Sequence, residues 1–234
     1  MSSDQTKRLV GYAAVDRYVR SGMKIGMGTG STAVWAIRRI GELLANGTLT
    51  DIVGVPTSSQ SELECHRLGI PLRSMNDPQV DGKLDLTIDG ADEIDPQRNL
   101  TKGGGGALLL EKIVAYSSTG VVIVADERKL VSQLGKTFPV PLEVLPAARV
   151  PVMNALTKLG GEPVVRLAER KMGAVITDNG NIIIDVRFGE PFDAPEMEAR
   201  LATVPGIVGN GLFCRIEPTV LVAYEDGRTE EFAG

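Results

Sequence analysis

The pattern of apolar and polar positions changes character once along the chain. From a cap at Ser3 or Asp4, Leu9, Val10, Tyr12, Ala13 and Val19 recur near helical spacing as far as Ser21 and Gly22, which predicts a first helix. A short strand at 24–27 then passes through a glycine turn into a helix marked by Val34, Ile37, Ile40 and Leu44. The same alternation predicts a strand at 52–55, a helix at 58–68 and a short strand at 70–72. Next come a strand at 84–88, a helix at 107–116 and a buried strand at 121–125. Strands that alternate with helices imply an α/β fold with a Rossmann-like, doubly wound parallel sheet, whose ligands bind beyond the carboxyl ends of the strands.

Beyond Gly135 the punctuation differs, with Pro139, Pro141, Pro146 and Pro151 in quick succession. A helix at 149–159 precedes strands at 164–167 and 174–177. Asp178-Asn179-Gly180 then turns the chain into a strand at 182–186, and a helix follows at 194–202. Antiparallel strands mixed with helices predict a small α+β domain at 131–204, inserted into the larger domain formed by 1–130 and 205–234. Short strands around Ile207, Leu212 and 220–223, with a hairpin at Glu225-Asp226-Gly227, are expected to return to the larger sheet.

Composition narrows the function classes. The 234 residues are 43% hydrophobic, ample for a core, while 4% aromatics and 27 glycines favour aliphatic strands with tight turns. A formal net charge of -5 argues against nucleic acid or an anionic membrane as partner and leaves a small molecule as the expected ligand. The opening residues MSSDQTKRLV lack a signal-peptide core and no apolar run is long enough to span a bilayer, so a cytoplasmic location is expected. Cys65 and Cys214 are far apart in sequence and are expected to be free thiols. His66, the only histidine, reads as a polar residue on a helix face.

Candidate chemistry concentrates at 84–112, LDLTIDGADEIDPQRNLTKGGGGALLLEK. The strand breaks at Asp89-Gly90 and releases Asp89, Asp92, Glu93 and Asp95 into a loop. Lys102, four glycines and an apolar helix carrying Glu111 follow. Glycines leave their N–H groups unshielded, so residues 103–106 can wrap an oxyanion at the positive end of that helix. Lys102 can stabilise a developing oxyanion, and crowded carboxylates push one another toward the pKa of a general base. Taken singly, the acidic run reads as a solvated turn or a divalent-cation loop, and the glycines as a linker. A linker has no reason to sit between a buried strand and an apolar helix, so the combination points to a ligand site.

A second turn, Gly28-Thr29-Gly30-Ser31-Thr32, places backbone N–H groups and three hydroxyls at a helix start, an arrangement that holds phosphate. It lacks the third glycine of a dinucleotide fingerprint and the lysine of a P-loop. The alternatives are phosphate without a nucleotide and a tight turn with Ser31 as a helix cap.

Four motifs in order, GMGTGSTA at 26–33, DGADEID at 89–95, KGGGGALLLEK at 102–112 and VADERK at 124–129, resemble the type A ribose-5-phosphate isomerase family. TDNGNIIIDV at 177–186 and the opening DQTKRLVGYAAV extend the likeness along most of the chain. Four glycines follow Lys102 where three are commoner in the family, and ERK stands where a smaller residue often precedes the lysine. The resemblance implies a Rossmann-like domain with an inserted ferredoxin-like domain, no cofactor or metal, and a homodimer or homotetramer. It also implies interconversion of D-ribose 5-phosphate and D-ribulose 5-phosphate in the non-oxidative pentose phosphate pathway. By motif it makes Glu111 the general base. It lines the substrate with Lys7, Thr29, Gly30, Ser31, Thr32, Asp89, Gly90, Ala91, Asp92, Lys102, Gly103, Gly104, Gly105 and Lys129. In the enediolate chemistry so implied, Lys102 stabilises the oxyanion, Asp89 manages a hydroxyl proton and ring opening, and Asp92 orients a hydroxyl. Other classes compatible with such a sheet are a sugar-phosphate deaminase, a coenzyme A transferase and a non-catalytic sugar-phosphate sensor. The deaminase usually relies on histidine, which His66 is badly placed to supply. A sensor would normally carry a DNA-binding segment, and no basic one precedes residue 24.

Overall fold

A computed structural model describes residues 1–233. They divide into two units, the first made of Met1–Gly90, Ile113–Lys129 and 216–233, the second of Ala91–Lys112 and Leu130–Arg215.

The first unit opens with α1 (Ser3–Tyr18), whose start is set by a reciprocal cap: the Ser2 hydroxyl accepts from the Gln5 N–H, and the Gln5 side chain accepts from the Ser2 N–H at 2.8 Å. That cap lies one residue before the expected one. There follow β1 (Lys24–Met27), α2 (Ala33–Ala45), β2 (Val53–Pro56), α3 (Ser59–Arg67) and β3 (Leu84–Asp89). Later segments add β6 (Ser118–Asp126), β12 (Thr219–Ala223) and β13 (Thr229–Phe232). Residues 70–72, expected as a strand, make only a single bridge, Leu72 to Gly54.

Within the described residues these strands form a six-stranded sheet in the order β13-β12-β6-β3-β1-β2, parallel except for β13. Its core is aliphatic, with Val10, Ala14, Ile25, Ile37, Ile40, Ile88, Val122 and Leu221 all buried. β3 is central and buried on both faces, so Thr87, which alternation would leave exposed, is buried with its hydroxyl 2.6 Å from that of Ser118. The chain runs outward from β1 to β2 and then returns to β3 on the other side of β1. The strand order therefore reverses between β1 and β3, and the turns after them open at the carboxyl edge.

The second unit contains β4 (Glu93–Ile94), β5 (Leu100–Thr101), β7 (Val140–Val144), α5 (Arg149–Lys158), β8 (Gly161–Val165), β9 (Ile182–Phe188), α6 (Ala194–Ala202), β10 (Ile207–Asn210) and β11 (Leu212–Phe213). α4 (Leu108–Tyr116) starts in this unit, and its residues from Ile113 onward belong to the first. The antiparallel sheet β10-β7-β9-β8, built from the sequence β-α-β-β-α-β, has ferredoxin-like topology. Val140, Leu142, Val152, Leu156, Ile184, Val186 and Leu201 fill its core.

The strands around Ile207 and Leu212, expected in the large sheet, belong here. Ile207 pairs with Val144 in β7, and Leu212 pairs with Thr101 in β5. Residues 91–112, expected with the large sheet, group with this unit as well, because β4 and β5 pair with each other and β5 pairs with β11. The strand expected at 174–177 reduces to isolated bridges from Ala174 and Ile176.

Candidate active site

In the first unit the turns after β1, β2, β3 and β6 share the carboxyl edge of the parallel sheet. Asp89 closes β3 and is buried, and its Oδ1 accepts from the N–H groups of Thr29 at 3.0 Å and Gly90 at 2.8 Å. This bond joins the turns at the point where the strand order reverses. Glycine at position 28 makes the approach possible, because a Cβ there would lie 2.4 Å from Asp89 Oδ1 and 2.5 Å from the Ile88 carbonyl oxygen. The Thr29 hydroxyl is committed to the hydroxyls of Thr57, at 2.7 Å, and Ser58, at 2.6 Å. The Gly30 N–H donates to Gln60, and Gly30 has φ of 107°.

The residue at the head of α2 is Thr32, not Ser31, and its side chain makes no capping hydrogen bond. Ser31 is exposed. Lys7 on α1 and Lys129 in the short 3-10 turn after β6 are half-buried, and neither forms an ion pair among the described residues.

The second unit holds Glu111, Lys102 and the glycines of 103–106. Lys102 Nζ lies 3.3 Å from Glu111 Oε1, and the two side chains are only 3% and 6% exposed. The ammonium also lies 5.6 Å from the centre of the Phe213 ring, and the Lys102 N–H donates to the Gly211 carbonyl at 2.8 Å. Glu111 sits in the first turn of α4 because residues 103–106 fold tightly ahead of that helix, the Gly106 N–H closing on the Gly103 carbonyl at 2.9 Å.

The glycines do not form an uncommitted cradle. Asp92 Oδ2 accepts from the Gly104 N–H at 2.7 Å, so among the described residues the Gly103 and Gly105 N–H groups are the ones left without an acceptor. Asp92, expected to orient a substrate hydroxyl, therefore braces this turn with one of its oxygens.

Two of the carboxylates at 89–95 are taken up by the fold of the second unit itself. Glu93 is fully buried and accepts from the N–H groups of Gly135, Thr137 and Phe138 and from the hydroxyls of Thr101 and Thr137. Asp95 organises its own loop by accepting from the Gln97 and Asn99 N–H groups and the Asn99 amide. Each carboxylate has found donors, and the ion-pair partner of Glu111 is an ammonium. Ala91, at the start of the second unit, is half-buried.

His66 is exposed on α3 near Glu62, as expected of a helix-face residue. Burial pushes the thiols of Cys65 and Cys214 up to about 12. Two groups near the glycines escaped sequence reasoning. Arg166 donates from Nη1 to the carbonyls of Gly103 at 2.9 Å and Gly104 at 3.0 Å. Lys112 donates to Glu198 at 2.7 Å, to Asn210 at 3.1 Å and to the Leu212 carbonyl at 2.6 Å, which ties the start of α4 to α6, β10 and β11. Lys112 adjoins Glu111 in sequence, but nothing in the local pattern marks it as the buried partner of Glu198.

Residues 53–227 match the family model for ribose 5-phosphate isomerase A, also called phosphoriboisomerase A. The ribose-5-phosphate isomerase A of Treponema denticola is 47% identical over 99% of this chain and 100% of its own length. That of Thermosynechococcus vestitus is 49% identical over 95% of this chain and 94% of its own. Among solved structures, ribose 5-phosphate isomerase A from Methanocaldococcus jannaschii covers 100% of both chains at 42% identity with a TM-score of 0.92. A D-ribose-5-phosphate isomerase in complex with phospho-erythronic acid matches over 100% of both chains at 40% identity and a TM-score of 0.95.

Proposed function

The chain belongs to the ribose-5-phosphate isomerase A family and is an aldose-ketose isomerase acting on D-ribose 5-phosphate and D-ribulose 5-phosphate, and we propose that Glu111 is its base and Lys102 its electrophile. In this reaction one proton moves from C2 to C1 and another from the C2 hydroxyl to the C1 oxygen. Glu111 takes the C2 proton from the open-chain aldose, the electron pair forms the C1–C2 double bond, and the carbonyl electrons settle on the C1 oxygen. Lys102 and the remaining glycine N–H groups stabilise that oxyanion, and Glu111 returns its proton to C1. Asp89 serves the hydroxyl proton and ring opening.

The observation that carries this reading is the buried Lys102–Glu111 pair, 3.3 Å apart at the glycine turn. Charges withdrawn from water act strongly on a reacting centre, and a fixed cation beside a carboxylate keeps it ionised, the form in which it can act as a base.

For substrate binding we assign the phosphate to the 28–32 turn with Lys7, and the sugar to Asp89, Gly90, Ala91, Asp92, Lys102, Gly103, Gly104, Gly105 and Lys129. Support comes from Ser31 and Thr32, whose hydroxyls lack an intramolecular hydrogen bond among the described residues at the N-terminus of α2. The relative that holds phospho-erythronic acid supports an anionic sugar-phosphate ligand. A cytoplasmic setting belongs to the same proposal, since free thiols at Cys65 and Cys214 suit a reducing compartment. So does a homodimer or homotetramer, supported by the exposed apolar side chains Val164, Leu167, Met172 and Ile176 in the second unit.

Glu111→Gln tests the central assignment, because it keeps shape and hydrogen bonding while removing the proton acceptor. We expect kcat to fall at least about a hundredfold, substrate affinity to change far less, and exchange of the C2 proton with solvent deuterium to be lost. Turnover near the wild-type rate would transfer the base role to another carboxylate, Asp89 first.

A further inference from the structure

We infer that Arg166, anchored by Asp185, is a positioning residue that sets the peptide planes of the 103–105 turn for oxyanion binding; this rests on the mechanism proposed for Glu111 and Lys102. Arg166 follows β8, Asp185 lies on β9, and the guanidinium is shared between two tasks. Nε and Nη2 hold the Asp185 carboxylate at 2.8 and 2.5 Å, a two-point grip that fixes the plane of the guanidinium. Nη1 then donates to the carbonyls of both Gly103 and Gly104. The Arg166 side chain is 17% exposed and that of Asp185 21%, so both are largely withdrawn from solvent.

The consequence follows from the geometry of a trans peptide, in which the C=O of one residue and the N–H of the next point in opposite directions. With the Gly103 and Gly104 carbonyls turned toward Arg166, the N–H groups of Gly104 and Gly105 turn away from it. The first of these reaches Asp92 at 2.7 Å, and the second, next to it, has no acceptor among the described residues. Arg166 and Asp92 thus grip the Gly103–Gly104 peptide from opposite sides, and the same grip aims the Gly105 N–H. With the Gly104 N–H already bound to Asp92, the Gly105 N–H is the donor of this pair that is left to meet an oxyanion.

Glycine explains why a clamp is required. A run of four glycines has more backbone freedom than any other sequence, and ordering it at the moment of reaction would raise the barrier. The residues that let the backbone come close to an oxyanion cannot hold themselves in place. Asp185 contributes through Arg166 and touches neither glycine carbonyl in the contacts above.

The experiment compares Arg166→Ala, Asp185→Asn and the double variant with Glu111→Gln, each checked for folding by circular dichroism and thermal melting. For Arg166→Ala we expect kcat to fall about tenfold to a hundredfold with KM within about threefold, less than the loss of a whole oxyanion donor. Added guanidinium should restore part of kcat in Arg166→Ala and none in Glu111→Gln. Asp185→Asn should lose less, and the double variant no more than Arg166→Ala, because both changes break one device.

If Arg166→Ala does not fold, Arg166→Lys decides. Its single ammonium cannot grip Asp185 and both carbonyls, so kcat must fall with KM unchanged. A variant of Arg166 that folds with wild-type kcat, or a kcat loss that guanidinium does not relieve, overturns the inference. If Glu111→Gln keeps its activity, the underlying mechanism fails instead.

Discussion

Position 28 shows how one absent side chain shapes the chemistry of another residue. The Gly28 N–H donates to the Ile88 carbonyl at 3.0 Å, and the backbone of 28–29 lies against the Asp89 carboxylate. The methyl of Gly28→Ala would fall 2.4 Å from Asp89 Oδ1 and 2.6 Å from Asp89 Cα, a gap that a flexible side chain alone cannot relieve. Backbone shifts of this kind cost about 1–3 kcal/mol. We expect Gly28→Ala to lower the melting temperature and to reduce kcat/KM well beyond what its stability loss explains, because Asp89 moves with β3. Full activity in a folded Gly28→Ala protein would separate Asp89 from the reaction.

At the same scale, the sequence brought Lys102 and Glu111 forward as candidates because both stand within one short stretch next to the glycines, and the structure pairs them. Arg166 could not be found this way. Its target carbonyls lie 63 and 62 positions away and carry no side chain that a motif could record.

Between elements, the clearest charged link is in the first unit, where Glu64 on α3 is gripped by its neighbour Arg67 and by Arg38 on α2. Arg38 Nε and Arg67 Nη2 each lie 2.7 Å from Glu64 Oε1. The hydrogen bond from Arg67 first, and that from Arg38 after it, hold the Glu64 carboxyl at about 2 against the desolvation that raises it from 4.5. A carboxyl whose pKa is lower in the folded state stabilises the fold fully above its unfolded pKa. The stabilisation is lost as pH falls through the folded value. The gap in melting temperature between the wild type and Glu64→Gln should therefore be widest above about pH 4.5 and close as pH approaches about 2. A gap that does not change over that window would show that the grip contributes nothing to stability.

Helices of this kind were legible in the sequence. Apolar residues at helical spacing placed α3, α5 and α6 to within a residue of their observed ends and marked α2 by Val34, Ile37, Ile40 and Leu44. Strand partners were not legible. The apolar runs of β10 and β11 predict strands but do not encode that β10 pairs with β7 and β11 with β5, since pairing depends on residues far away in sequence.

On the scale of the whole molecule, the second unit presents an apolar surface that its own core does not use. β8 is an edge strand of the four-stranded sheet, and Val164 on it is 64% exposed. The segment after it bridges back from Leu167 to Ala174 and exposes Leu167 at 70% and Met172 at 94%. An unpaired strand edge with apolar neighbours invites association, and proteins that remain monomeric usually blunt such an edge with charge or proline. Pro163 interrupts β8, and Glu162 precedes it, so edge-to-edge pairing is the less favourable mode and side-chain packing the better one. A second copy of the chain is the partner that the proposed oligomer supplies. The double variant Leu167→Glu, Met172→Glu places two carboxylates in that surface without touching the buried core. Light scattering coupled to gel filtration should then report a monomer, where the unmodified protein is expected to give a dimer or tetramer. Circular dichroism should remain unchanged, because both side chains are already exposed in the folded chain. If the double variant elutes with the same mass as the unmodified dimer or tetramer, the association surface lies elsewhere. If the unmodified protein is itself monomeric, the proposed assembly is wrong.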